Sequence, residues 1–356
     1  MKVAPVLRAL AERAPEVPRV LVHTGQHYDA GMSEVFFREL GIPPPDVHLG
    51  VGSGSHGAQT ARVLEGFERY LLDAPERPRG VVVVGDVNST MACALASVKL
   101  GVPVAHVEAG LRSNDRAMPE EINRLVTDAV SDLLLTSEPS GAENLRREGI
   151  PEARVRFVGN VMIDTLVHEL REARALSMGA RLGLASGRHA LITLHRPSNV
   201  DDPRRLASLV ALLGAMAGRL TLVFPAHPRT RAALASGGLL ARLECHPGVL
   251  LREPLSYREN LGLMESAAVV LTDSGGIQEE STFLGVPCLT LRANTERPVT
   301  VSQGTNTLVG EDLSRVPALL EDVLAGRYKK GAAIEGWDGR ASVRVADALL
   351  MTFSAE

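Results

Sequence analysis

Short apolar runs rich in Val, Leu and Ile recur along the whole chain, with helical patterns between them. They fall at residues 20–23, 81–84, 102–107, 133–136 and 155–158, and again at 190–194, 220–224, 249–251, 269–272 and 287–291. Each is too short for a helix. Unbroken apolarity marks strands buried on both faces, and helical stretches between such strands mark βαβ units and parallel sheets. A chain of 356 residues has room for two cores. The two groups of runs predict an α/β protein of two Rossmann-like doubly wound parallel-sheet domains with a central cleft. The helical, polar stretch 164–187 holds the boundary. The expected division is 1–166, joined by a C-terminal helix within 341–356, and 167–340.

In such folds ligands bind beyond the carboxyl ends of the strands. Asp86, Glu108, His195, His227 and Asp273 all come just past the end of a run. The segment Leu271-Thr-Asp-Ser-Gly-Gly-Ile-Gln-Glu-Glu280 is the most telling. A buried strand ends at Thr272 and a helix begins near Ser274. Ser274, Gly275 and Gly276 then offer backbone N–H groups at a positive helix end. That geometry binds phosphate, and glycine lets a ligand come close. One turn later Glu279 and Glu280 bring carboxylates, and a carboxylate there can accept both hydroxyls of a ribose. The plain alternative is an N-cap followed by acids that match the helix dipole.

In Val84-Gly-Asp-Val-Asn-Ser-Thr90, Asp86 follows a run of valines, with Asn88 or Ser89 as the cap of the next helix; an Asx turn is the alternative. In His106-Val-Glu-Ala-Gly-Leu-Arg112, Glu108 ends a strand; simple neutralisation by Arg112 is the alternative to a functional carboxylate. In Pro119-Glu-Glu-Ile-Asn-Arg124, Pro119 suits a first helical turn, and Glu120 and Arg124 lie four apart on one face. An ordinary surface pair has the same spacing. His195, directly after a strand and followed by Arg196, is a candidate for phosphate or acid/base work. Gly52-Ser-Gly-Ser-His-Gly57 fits G-x-G-x-x-G literally. The stretch before it does not read as a strand, so it is taken as a loop before a helix near Ala58, with no nicotinamide site.

Composition narrows the function. The net charge of −4 argues against a broad nucleic-acid surface. Cys93, Cys245 and Cys288 are far apart and odd in number, which argues against a disulfide framework and a structural zinc site. Arg219 interrupts the most apolar stretch, 209–224, which is too short to span a bilayer. The charged N-terminus is not a signal peptide. The expected location is cytoplasmic, with no membrane partner.

Taken in order, Thr24-Gly-Gln-His27, Gly85-Asp86, His106-Val-Glu-Ala-Gly-Leu-Arg112, Pro119-Glu-Glu121 with Asn123-Arg124, Gly159-Asn160, His195-Arg196, Asp273–Glu280 and Thr295-Glu-Arg-Pro298 resemble the non-hydrolysing UDP-N-acetylglucosamine 2-epimerases. The resemblance runs from Lys2 to about Gly310. It implies a fold like the GT-B glycosyltransferases, a homodimer, no bound cofactor and no metal. By residue it places Asp86, Glu108, Glu120 and His195 in the catalytic group. Lys2, Arg124, Ser274, Gly275, Gly276, Glu280 and Arg297 fall in the substrate-binding group. Gln26 and His227 match a regulatory site for a second UDP-sugar. That site is altered on its basic side, because many members read His-Arg-Arg-Glu where this chain has His195-Arg-Pro-Ser198.

The implied reaction interconverts UDP-N-acetylglucosamine and UDP-N-acetylmannosamine by elimination of UDP to 2-acetamidoglucal and re-addition. It would supply N-acetylmannosamine-type sugars for cell-surface polysaccharide. The alternatives are a hydrolysing epimerase, a GT-B glycosyltransferase, a non-enzymatic UDP-sugar sensor, and an epimerase for a uronic or di-N-acetylated sugar. The family also begins with a strand and a Gly-Thr-Arg-Pro-Glu turn, whereas this chain starts after them. A doubly wound domain without its central first strand has a slot between that strand's neighbours. Lys2 is then expected on a frayed end, and the active form is expected to carry about 15 further residues upstream, one strand and its turn.

Overall fold

The apolar runs form strands, and all the strand pairings are parallel. The computed structural model describes residues 1–25 and 37–353. The chain forms two units, Met1–Thr165 with Glu335–Glu356, and Leu166–Ile334.

The first unit contains β1 (Val22–His23), β2 (Val47–His48), β3 (Val81–Val84), β4 (Val104–Ala109), β5 (Leu133–Thr136) and β6 (Val155–Phe157). β3 to β6 lie side by side in chain order, while β1 and β2 form a separate two-stranded sheet. Every residue of β4 and β5 is buried, as a sheet covered on both faces requires. Ala105 and Val107 pack with Val6, Val345 and Leu349 of the helices Val3–Arg13 and Ala341–Phe353. Val104 packs the other way, with Val63, Phe67 and Ala92 of the helices His56–Asp73 and Asn88–Lys99. This alternation is the two-residue period of a strand. The helix Ala341–Phe353 is fastened at its start by Asp164, which accepts the N–H groups of Ala341 (3.1 Å) and Ser342 (2.6 Å).

Several expectations need correction here. Residues 47–48 are a strand after all, because the ladder to β1 stabilises a pair too short to show as an apolar run. A strand therefore does precede Gly52, and the reason given against a dinucleotide fingerprint falls. Residues 49–55 still intervene before the helix, whose N-cap is Ser55, in place of a tight turn. Lys2 is not frayed. Its ammonium pairs with Glu108, and the Met1 carbonyl accepts from Thr165. Neither Asn88 nor Ser89 caps the helix Asn88–Lys99; the N-cap is Val87, since the Asn88 amide donates to Gln59 (2.8 Å).

The second unit contains β7 (His189–Thr193), β8 (Thr221–Pro225), β9 (Val249–Arg252), β10 (Val269–Thr272), β11 (Cys288–Thr290) and β12 (Asn306–Leu308). The sequence marks five of these and misses β12, whose Asn306 is polar yet buried. Its amide donates to Gln278 (3.0 Å) and its carbonyl oxygen accepts from Thr290 (2.6 Å). The order is β12-β11-β10-β7-β8-β9, the doubly wound Rossmann arrangement. The order reverses between β7 and β10, which are paired in register through Thr193 and Thr272. The carboxyl ends of those two strands are the expected ligand crevice of the unit. No helix among the described residues is long and apolar enough to cross a membrane.

Candidate active site

In the first unit the in-register pairing of Val84 with Val107 brings Gly85-Asp86 beside Glu108. Glu108 was expected just past its strand, but it lies within β4, at an irregularity between Val107 and Ala109. Its φ is +75°, a conformation that costs a non-glycine residue about 1–3 kcal/mol and clusters at functional sites. The carboxyl is buried and ion-paired with Lys2. Asp86 is ion-paired with Arg124, and Asn123 donates to the Asp86 backbone carbonyl at 2.9 Å.

Arg124 is 1% exposed. It also bonds Glu121 through Nε (3.0 Å) and Nη2 (2.6 Å). Glu121 in turn accepts the N–H groups of Ser113 (3.0 Å) and Asn114 (2.9 Å). Burial alone would raise the Glu121 pKa, but these donors and the Arg124 charge hold it below the usual carboxylate range. Arg124 was read as a substrate contact, yet the structure commits it to Asp86 and Glu121. Glu120 is in the first turn of the helix Pro119–Val130 and half-buried.

A buried polar group underlies these strand ends. His106 sets Nδ1 against Asp128 (2.6 Å) and Nε2 against the Gly85 carbonyl (2.8 Å). Both ring nitrogens face oxygens, so each must donate a hydrogen for both bonds to exist. Asp128 also takes the Gly110 N–H (3.0 Å) and Arg112 (2.7 Å). Its pKa lies below the ordinary value, because the His106 and Arg112 charges outweigh burial. Arg112 therefore neutralises Asp128 and Glu148, correcting its expected pairing with Glu108. The backbone must approach closely here. Gly110 has φ +80°, and a Cβ on it would lie 2.3 Å from the Gly141 carbonyl.

In the second unit Ser274 is the N-cap of the helix Gly275–Phe283, without a side-chain cap bond. Its N–H donates to Thr272 Oγ1 (2.9 Å). Gly275 and Gly276 open the helix, and the first N–H groups of a helix have no intrahelical acceptor. Such a helix start can receive an anion. A Cβ on Gly275 would fall 2.7 Å from Glu296 Oε1 and 2.8 Å from Arg297 Nη1, so glycine fits the packing against this buried pair. Arg297 was expected to meet an anion. It pairs with Glu279 (2.8 Å) and Glu296, so its charge is already matched. Asp273 bonds His195 and the turn after it. The His195 and His227 rings lie 6.1 Å apart. His227 caps its own helix by accepting the Arg229 N–H (3.2 Å). Gln26, the other expected regulatory residue, lies outside the described residues.

Glu280 is 2% exposed and accepts the Tyr257 hydroxyl at 2.9 Å. Burial is the main cause that pushes its pKa up to about 7, with Glu279 adding and the Tyr257 bond opposing. The unfolded chain releases this proton at lower pH than the native one. Stability should therefore fall as pH rises from the ordinary 4.5 towards about 7, then level off. Glu280→Gln is expected to remove that slope. The wild-type-minus-variant unfolding free energy, from urea titrations, should change by something of the order of 3 kcal/mol between pH 5 and pH 8. An unchanged difference rejects the buried acid.

Sequence reasoning missed Glu121, Asn123, His106, Asp128 and Tyr257. The first four lie inside or beside quoted motifs, but only the contacts reveal what they hold. Tyr257 carries no signal in the sequence. Among the described residues no cluster of three His, Cys, Asp or Glu side chains is placed to hold a metal ion.

A family model described as UDP-N-acetylglucosamine 2-epimerase matches residues 9–350. The chain is 40% identical over 352 residues to a UDP-N-acetylglucosamine 2-epimerase of Methanocaldococcus jannaschii, covering 97% of this chain and 95% of that one. It is 41% identical over 353 residues to a UDP-2,3-diacetamido-2,3-dideoxy-D-glucuronate 2-epimerase of Pseudomonas aeruginosa, covering 98% and 96%. Among solved structures it is similar to the M. jannaschii UDP-GlcNAc 2-epimerase in complex with UDP-GlcNAc and UDP. That likeness has a TM-score of 0.90 and 39% identity, over 98% of this chain and 96% of that one. The fold class read from the apolar runs, two Rossmann-like parallel-sheet units, and the GT-B likeness that the resemblance implies both agree with this neighbour. With a match that spans nearly its whole length, the chain belongs to the UDP-N-acetylglucosamine 2-epimerase family.

Proposed function

We propose that this protein interconverts UDP-N-acetylglucosamine and UDP-N-acetylmannosamine without hydrolysis, in the cytoplasm and as a homodimer. The observation that carries the reaction is Glu108 at φ +75°, buried in β4 beside Gly85-Asp86 and paired with Lys2. Assembly rests on the family resemblance, and location on the charged N-terminal stretch and the short, interrupted apolar stretch 209–224.

Carbon 2 of the sugar is not next to a carbonyl, so its proton is weakly acidic. Departure of the diphosphate solves this, because positive charge growing at carbon 1 acidifies the neighbouring C–H. A base takes the carbon 2 proton. The C–H electron pair forms the carbon 1–carbon 2 double bond of 2-acetamidoglucal, and the carbon 1–oxygen pair leaves on UDP. Return of a proton to the opposite face of carbon 2, with attack of the UDP oxygen on carbon 1, completes the inversion. Asp86, Glu108 and Glu120 are the carboxylates for proton transfer and for stabilising charge. Ser274, the Gly275 and Gly276 N–H groups and His195 are the donors for the diphosphate. Lys2 acts beside Glu108, Arg124 by holding Asp86, and Arg297 by packing behind Gly275. Glu280, with Tyr257, supports the ribose end.

Incubation with UDP-N-acetylglucosamine in deuterated water should give UDP-N-acetylmannosamine carrying deuterium at carbon 2, followed by NMR. Inversion without deuterium uptake, or release of free sugar, would reject the elimination route. Comparable identity to the P. aeruginosa protein favours a second substrate, the diacetamido uronic acid nucleotide. The same assay run on both sugars decides between them by rate.

A further inference from the structure

We propose that Asp273 is the positioning residue of His195, holding the ring with Nδ1–H turned onto the carboxylate so that Nε2 is the nitrogen presented to a ligand. For activity this rests on the reading of His195 as part of the epimerase site. The two residues are far apart in the chain but adjacent in space, because each directly follows or nearly follows a strand at the point where the sheet order reverses.

Asp273 is fully buried. Its Oδ1 and Oδ2 each take the His195 N–H at 3.1 Å. Oδ2 also takes the Arg196 N–H (2.9 Å) and the Asn199 side-chain amide (3.1 Å). His195 Nδ1 lies 3.1 Å from Oδ1. Each of these neighbours can donate, and an ionised carboxylate only accepts. Burial alone would raise the pKa of Asp273, but the bond and charge of His195, with the Arg196 and Asn199 donors, hold it below the usual value. A hydrogen on Nδ1 matches this acceptor at 3.1 Å, so the geometry points to Nε2 as the nitrogen presented to a ligand. The His195 side chain remains 40% exposed. The neighbouring His227 does not compete for Asp273, since its Nδ1 accepts from the Arg229 N–H.

The test is Asp273→Asn, studied by two-bond nitrogen–proton NMR of the imidazoles and by kinetics. The asparagine oxygen can stay on the backbone donors, which turns its NH2 towards Nδ1. Nδ1 must then accept, and the neutral ring is expected to carry its proton on Nε2. The epimerase kcat should fall about a hundredfold or more with little change in KM. In a His195→Gln background the same substitution should have little further effect. The proposal is overturned if neutral wild-type His195 carries its proton on Nε2, a result that holds even if Asp273→Asn does not fold. It is also overturned if kcat is unchanged in the folded variant, or if the two substitutions act independently. Wild-type protein that turns over no UDP-sugar would sink the epimerase reading, and the tautomer spectrum would still decide the role of Asp273.

Discussion

Glu108→Gln is expected to lower kcat for epimerisation about 10²–10⁴-fold, the usual contribution of one acid/base group. That is roughly 3–5 kcal/mol of transition-state stabilisation. Glutamine keeps the length and polarity of the side chain, so the strained turn in β4 and the sheet register should survive. What it loses is the negative charge beside Lys2 and the ability to take a proton. Deuterium entry at carbon 2 should slow in parallel with turnover, while UDP affinity, measured by calorimetry, should change little. Undiminished deuterium entry in the variant would remove Glu108 from the proton transfer.

Asp128→Ala should cost about 3–5 kcal/mol of stability, because it leaves buried positive groups without their partner. His106 loses its Nδ1 acceptor, Gly110 N–H loses its carboxylate acceptor, and Arg112 keeps Glu148 alone of these two acids. For a unit of this size the midpoint of thermal unfolding should drop by roughly 6–20 °C, readable by circular dichroism. Activity should fall as well, since His106 fixes the Gly85 carbonyl just before Asp86. A shift below 1 °C would mean that the buried ions are not coupled as the geometry indicates. Asp128→Asn, which keeps one acceptor oxygen, should lose less.

Most of the fold was legible in the sequence for a simple reason. Strands buried on both faces read as largely apolar runs, so β4, β5, β7, β8 and β10 announce themselves. Strands whose stability comes from the ladder or from a satisfied polar side chain do not. Val47–His48 is too short to form a run, and β12 is Asn306-Thr307-Leu308, polar where an apolar pattern was sought. The Gly275-Gly276 helix start was legible too, because a buried apolar run ends at Thr272 and a helical pattern follows it.

The partners of the charged residues were not legible. Chain proximity suggested Arg112 for Glu108 and Glu120 for Arg124; the structure pairs Lys2 with Glu108, Arg112 with Asp128 and Glu148, and Arg124 with Glu121 and Asp86. The sequence by itself determined where most of the buried strands lie, since an apolar run and the break after it are local properties, although Glu108 falls inside β4 and not past its end. Which strand ends become neighbours was decided by the tertiary structure alone. Sheet order and register carry Asp273 to His195 and Gly85 to His106, and no local pattern encodes that order, because it is set by how whole helices and strands bury their faces together.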